Sequence, residues 1–187
     1  MKIRIAPAAL LLLFLAARHS PVRFCALLTA VAVHEAGHLT AARLLALPVR
    51  KLEFDVFGAR LFTAPLPSYS AECILAGAGP LFSLAAGFAF LPLKQPFFAT
   101  VSAFSFSFAL LNLLPVSGFD GGRMLASFLA ARRGPYFADR ALALASYLSL
   151  LFLFSLSACL LLRFGRDPAL ALLCAVLFAR QFLKTDR

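Results

Sequence analysis

Two histidines and a glutamate stand within five residues, His34-Glu35-Ala36-Gly37-His38, inside an apolar run from Phe24 to Leu47. On an α-helix, residues i and i+4 share a face. Both imidazoles can therefore ligate one zinc ion while Glu35 reaches a water beside it. Two of the chain's 3 histidines lie in this window. A lone histidine in an apolar helix is ordinarily a satisfied core residue. Three ionisable groups within a would-be membrane span are costly there and point to function, here a metal site.

A catalytic zinc takes three protein ligands and one water, so one protein ligand is missing from the motif. The chain has only 8 acidic residues, few enough to weigh singly. Glu35 is reserved as base. Glu53 and Asp55 lie in an alternating stretch, Glu72 precedes an apolar run, Asp139 and Asp167 flank another, and Asp186 is in the tail. Asp120 alone sits in a glycine-flexed break, Ser117-Gly118-Phe119-Asp120-Gly121-Gly122, at the end of an apolar run. Asp120 is the expected third ligand, and capping a helix start before Gly121 is its other role. A zinc dication and the carboxylates of Glu35 and Asp120 sum to zero charge, which limits the cost of burying them. Zinc lowers the pKa of its water to about 7. Glu35 is expected to take a proton from that water as it attacks a peptide carbonyl, then pass it to the leaving amine. Asn112, shortly before Asp120, either hydrogen-bonds a substrate backbone or satisfies the broken helix end.

The elements that must position these residues follow from composition. The chain of 187 residues is 62% hydrophobic with 21 Phe, and several apolar runs approach 20 residues, which implies an integral membrane protein. The net charge of +10 falls between the apolar runs. Topology and anionic lipid account for it better than nucleic acid, which is not expected as a partner. The pattern predicts an α-helical integral membrane protein of about six transmembrane helices: Ile5–Ala17, a retained span and not a cleaved leader; Phe24–Leu47, ended by Pro48; Ile74–Leu93, opening on a distorted start at Ala76-Gly77-Ala78-Gly79-Pro80; Phe97–Val116; Ala141–Leu162; and Pro168–Leu183. Met124–Arg140 reads as a basic amphipathic surface helix and loop. With the N-terminus inside, the inner loops hold most of the 18 Lys and Arg residues, so both termini of a multi-pass cell-membrane protein are expected in the cytoplasm. Cys25, Cys73, Cys159 and Cys174 lack C-x-x-C spacing and read as buried free thiols.

Val49 to Thr63 changes character. Leu52, Phe54 and Val56 alternate with Lys51, Glu53 and Asp55, and Gly58 offers a turn before Arg60. This period of two predicts a small β-hairpin at the membrane surface. A helical substrate must unwind before a peptide carbonyl can be attacked, and the freed backbone groups need partners. Lys51, Leu52, Glu53, Phe54, Asp55 and Val56 are expected to supply them by strand addition, with Asn112 on the opposite side.

HEAGH in an apolar helix, Gly77-Ala78-Gly79-Pro80, and Asn112-Leu113-Leu114-Pro115 followed by Asp120-Gly121-Gly122 resemble the site-2 protease family of intramembrane zinc metalloproteases. The resemblance covers about Phe24 to Arg123. It implies one zinc per chain held by His34, His38 and Asp120, with Glu35 as catalytic acid/base. It is strongest to the compact type that processes a sporulation sigma factor precursor, with six spans and a cytoplasm-facing site. Phe119 stands where the family usually has Leu, and Ser83 where many members have Asn after the G-x-G-P turn. No PDZ domain is inserted, and no nucleotide-binding tail is expected. On this reading residues 1–187 are one membrane protease domain, with a three-helix catalytic core at about 24–123 and accessory helices at 1–20 and 137–184. Its expected activity is regulated intramembrane proteolysis of a membrane-embedded or membrane-associated protein near the cytoplasmic leaflet, with the lipid bilayer around it and a regulatory membrane partner of unknown kind. The alternative is an inactive homologue acting as a membrane scaffold, against which the intact Glu35 speaks.

Overall fold

The computed structural model describes residues 2–5, 20–55, 58–63 and 68–164. The chain divides into two compact units, Met1–Leu113 and Leu114–Arg187. The first holds three strands, β1 (Lys2–Ile5), β2 (Val49–Asp55) and β3 (Gly58–Thr63), and three helices, α1 (Pro21–Leu44), α2 (Tyr69–Phe90) and α3 (Pro96–Asn112). The second holds α4 (Asp120–Arg133) and α5 (Pro135–Phe164).

Three of these helices, α1, α2 and α5, are long and apolar enough to cross a membrane, and α3 is a shorter apolar helix of 17 residues. At 1.5 Å per residue α3 reaches only about 25 Å, short of a hydrocarbon core of about 30 Å. The fold is therefore that of a helical membrane protein, but not of six spans among the described residues. Only Ile5 of the expected first span is described, and it closes β1; the expected sixth span lies outside the described residues.

In the first unit, Ser20 accepts the Arg23 amide at 3.4 Å and Pro21 opens α1, a start that needs no amide hydrogen from proline. Helix α1 stops before Pro48. Leu47 donates to the Ala42 carbonyl at 2.8 Å and Ala46 to that of Arg43 at 3.0 Å, a Schellman closure with Ala46 at φ 52°. Ser68 caps α2 by accepting the Ala71 amide at 3.1 Å. Helix α2 then runs unbroken through Pro80, so the expected distorted start at Ala76–Pro80 is instead the middle of a helix.

Helices α1, α2 and α3 pack on one another. Small residues bring the backbones together: a Cβ on Gly37 of α1 would lie 2.5 Å from the Ala78 carbonyl oxygen of α2. Ser102 of α3 donates to the Gly87 carbonyl of α2 at 2.8 Å. Ala41, Ala42, Leu47, Leu75 and Ala78 form a buried cluster. Cys25 and Cys159 are exposed and Cys73 half-buried, so these free thiols face outward rather than filling the core.

The strands form one sheet in the order β1-β2-β3. β2 and β3 pair antiparallel with Leu52 opposite Leu61, and β1 pairs parallel to β2 with Ile3 opposite Leu52. β2 is thus the middle strand, and Val56 lies outside the described residues. The outer strand β3 touches α1, the helix of the histidine pair.

In the second unit, α4 ends at Gly134, whose φ of 85° suits glycine, and Pro135 opens α5 at once. The expected surface loop before Arg140 is therefore already helix: Pro135 to Arg140 belongs to the first turns of α5. Val116 and Leu150 are buried together, with Leu114 and Phe119 against them.

Candidate metal centre

His34 and His38 are buried on the face of α1 turned to α2, at 5% and 6% exposure. Their Nε2 atoms lie 3.3 Å apart. Two nitrogens bound at 2.0–2.1 Å in a tetrahedral zinc site are separated by about 3.3 Å, so the pair is spaced for one ion. The opposite ring nitrogens are both tied to α2: His34 Nδ1 to Ser83 Oγ at 2.9 Å, and His38 Nδ1 to the Leu75 carbonyl oxygen at 2.8 Å. This is how metal-binding imidazoles are usually oriented, one nitrogen to the protein and one to the ion.

Gly79 of α2 supplies the room. A Cβ there would lie 2.8 Å from His34 Nε2 and would collide with His38 Nε2. The space that a side chain would fill adjoins the two atoms that would ligate the ion. The spacing, the tethered Nδ1 atoms and this clearance all fit a metal. Glu35 follows His34 directly and is half-buried. The Phe108 ring of α3 lies 6.1 Å from that of His34 and provides an apolar wall.

Asn112 ends α3, and its Nδ2 donates to the Phe108 carbonyl at 3.0 Å. This is a bond back to its own helix, one turn earlier. Lys51 to Asp55 lie in β2, and Lys51 to Phe54 have a paired strand on each side. A substrate strand adding to β2 would have to displace β1 or β3, so β2 is not the open edge expected of it. Among the described residues, the outer strands are β1 and β3.

Asp120 is positioned within the second unit. It is buried at the first residue of α4, with Arg123 Nη1 3.3 Å from its Oδ1. Phe119 occupies the N-cap position without a side-chain hydrogen bond, and Asp120 stands in the first turn rather than at the cap. The preceding turn is pinned to α5. Ser146 Oγ accepts the Ser117 amide at 2.9 Å and donates to the Leu142 carbonyl at 2.7 Å. Gly122 lies against the Val116 carbonyl, with no room for a Cβ.

Reading the sequence missed Leu75 and Ser146, and noted Ser83 only as a departure from the family's usual Asn, without its contact to His34. The Leu75 carbonyl carried no signal, because a backbone oxygen has no sequence signature.

A helical membrane protein with a buried histidine pair, each ring tethered through Nδ1, is the class that fold and site define. Comparison with known proteins narrows it. Residues 93–156 match the model of peptidase family M50. The fold matches the site-2 protease from Methanocaldococcus jannaschii with a TM-score of 0.65 and 21% identity, covering 98% of this chain and 91% of that one. No curated protein sequence gives a significant match. The match over residues 93–156 and the shared fold agree with the resemblance that the motifs carry.

Proposed function

We propose that this chain is an intramembrane zinc metalloendopeptidase that cuts a membrane-embedded or membrane-associated protein near the cytoplasmic leaflet. The observation that carries it is the His34–His38 pair: two Nε2 atoms 3.3 Å apart, each ring tethered through Nδ1. In this reading His34, His38 and Asp120, all buried, hold one zinc ion. Zinc bound there supplies Lewis acidity, which polarises a peptide carbonyl and makes water a nucleophile near neutral pH.

The other tasks fall to the chain. Glu35 accepts a proton from the attacking water as the oxygen–carbon bond forms, and delivers it to the departing nitrogen as the carbon–nitrogen bond breaks. Its place beside His34 keeps its carboxylate on the motif helix. The Phe108 ring, 6.1 Å from that of His34, lends the site an apolar side. The carboxamide oxygen of Asn112 is proposed to accept from the extended substrate while its nitrogen stays on Phe108. Both termini are proposed to lie in the cytoplasm of a cell-membrane protein, as in the compact sporulation type.

The test is cleavage of a helical membrane substrate in proteoliposomes by zinc-loaded protein, with Glu35→Gln as comparison. Specific products made by the wild type and not by the variant support the reading. No cleavage of any helical membrane substrate by the zinc-loaded wild type counts against it.

A further inference from the structure

The two histidines are tethered by chemically different partners. A carbonyl oxygen can only accept, so the Leu75 bond places a proton on His38 Nδ1, and the neutral ring then has its lone pair on Nε2. Ser83 is different, because a hydroxyl both donates and accepts. The Ser83 bond therefore allows either tautomer of His34.

Without metal, His38 Nε2 presents its lone pair to His34 Nε2 at 3.3 Å. That contact is a hydrogen bond only if His34 carries its proton on Nε2. His34 Nδ1 then has a lone pair, and Ser83 donates to it. With metal, both Nε2 atoms give their lone pairs to the ion, and the neutral His34 ring must carry its proton on Nδ1. Ser83 must then accept, and its own hydrogen turns to a carbonyl of the preceding helical turn, as serine commonly does within helices. One proton leaves Nε2 and one is taken up at Nδ1, so the charge of the ring is unchanged.

We propose that Ser83 is a positioning residue whose hydroxyl reverses its hydrogen bond to His34 when metal binds, selecting the tautomer each state needs. This rests on the metal reading of the site. Ser83 is fully buried, so water is not at hand to replace it. Alanine would remove the Ser83 hydroxyl from His34 Nδ1 in both states. Threonine keeps the hydroxyl.

The experiment uses full-length protein in detergent, with cobalt(II) as the probe metal and a competing chelator to set affinity. Ser83→Ala should bind cobalt roughly 10- to 100-fold more weakly, the usual cost of losing a group that orients a ligand. Ser83→Thr should restore affinity to near wild type. Circular dichroism and thermal unfolding report that each variant keeps its fold. Nitrogen-15 spectra of His34 should show the proton on Nε2 in metal-free protein and on Nδ1 when zinc is bound. Unchanged cobalt affinity in Ser83→Ala, or one tautomer in both states, overturns this inference and leaves the metal centre standing. A wild type that takes up no cobalt overturns both.

Discussion

Ser146 Oγ accepts the Ser117 amide at 2.9 Å, and by that bond α5 holds the turn that leads into Asp120. The hydroxyl is fully buried and also donates to Leu142, so it serves the loop and its own helix together. Ser146→Ala leaves the Ser117 amide without this acceptor, which costs about 1–3 kcal/mol if nothing replaces it. The expected result is a lower thermal midpoint in detergent with unchanged helix content by circular dichroism. Zinc content should fall as well, because a loosened turn holds Asp120 less firmly. A variant as stable and as metal-rich as wild type would show that the turn needs no tether.

Gly79 tests the histidine pair within the first unit. Alanine favours helix by about 1 kcal/mol over glycine, so Gly79→Ala should keep α2 folded. Its methyl group would nevertheless sit against both Nε2 atoms. Metal analysis should find close to one zinc per chain in the wild type and little in Gly79→Ala. Loss is equally expected in His34→Ala, His38→Ala and Asp120→Ala. Full zinc content in Gly79→Ala would mean the ion lies elsewhere.

Glu35→Gln preserves size and polarity but cannot accept the proton of the attacking water. Cleavage should fall roughly 100-fold or more, as for loss of a general base. Zinc content and thermal midpoint should stay at wild-type values. Near-normal turnover would assign the base to another residue.

The candidate residues were legible because side chains of unusual type for their surroundings carry the proposed chemistry. His34, Glu35 and His38 stand out against alanine and leucine, and Asp120 against glycine. What fixes them in place was not legible. The partner of His38 is the Leu75 carbonyl, and the contact at Gly79 is an absence of atoms. Element ends were misplaced for a similar reason. Proline signals at Pro48 and Pro80 suggest breaks, yet α1 closes earlier through Ala46, and α2 absorbs Pro80 within a packed helix. The alternation of Val49 to Asp55 marks a strand but says nothing of its neighbours, and β1 comes from the far end of the sequence to take one edge.

Ala46 holds a left-handed conformation, φ 52°, that costs an L-residue about 1–2 kcal/mol relative to glycine. Glycine loses part of that advantage through the greater freedom of its unfolded chain, about 0.4–1 kcal/mol. Ala46→Gly should therefore stabilise the end of α1 by roughly 0.5–1 kcal/mol, the difference between these two effects. A small rise in thermal midpoint without loss of activity is expected. A fall would mean that the closure at Leu47 depends on the alanine methyl.

The sheet sets the last prediction. An unwound substrate exposes amide and carbonyl groups that cost several kcal/mol each in lipid unless paired, and strand addition is the direct remedy. β2 is flanked by β1 and β3, so a proline within Lys51–Asp55 removes ladder bonds that the fold itself uses. Such variants should lose stability and activity together. β3 touches α1 and is an outer strand among the described residues, with amides alternating between β2 and its open side. If the substrate adds at β3, prolines scanned across Gly58–Thr63 should alternate in effect. Positions whose amide faces away from β2 should slow cleavage of a helical substrate while thermal midpoint and zinc content hold. Positions facing β2 should destabilise the sheet. A short unstructured peptide has less need of a template, so its cleavage should respond less to the outward set. Equal turnover of the helical substrate at every outward position would remove β3 as the template, and loss of activity without loss of stability in β2 would return that role to Lys51–Asp55.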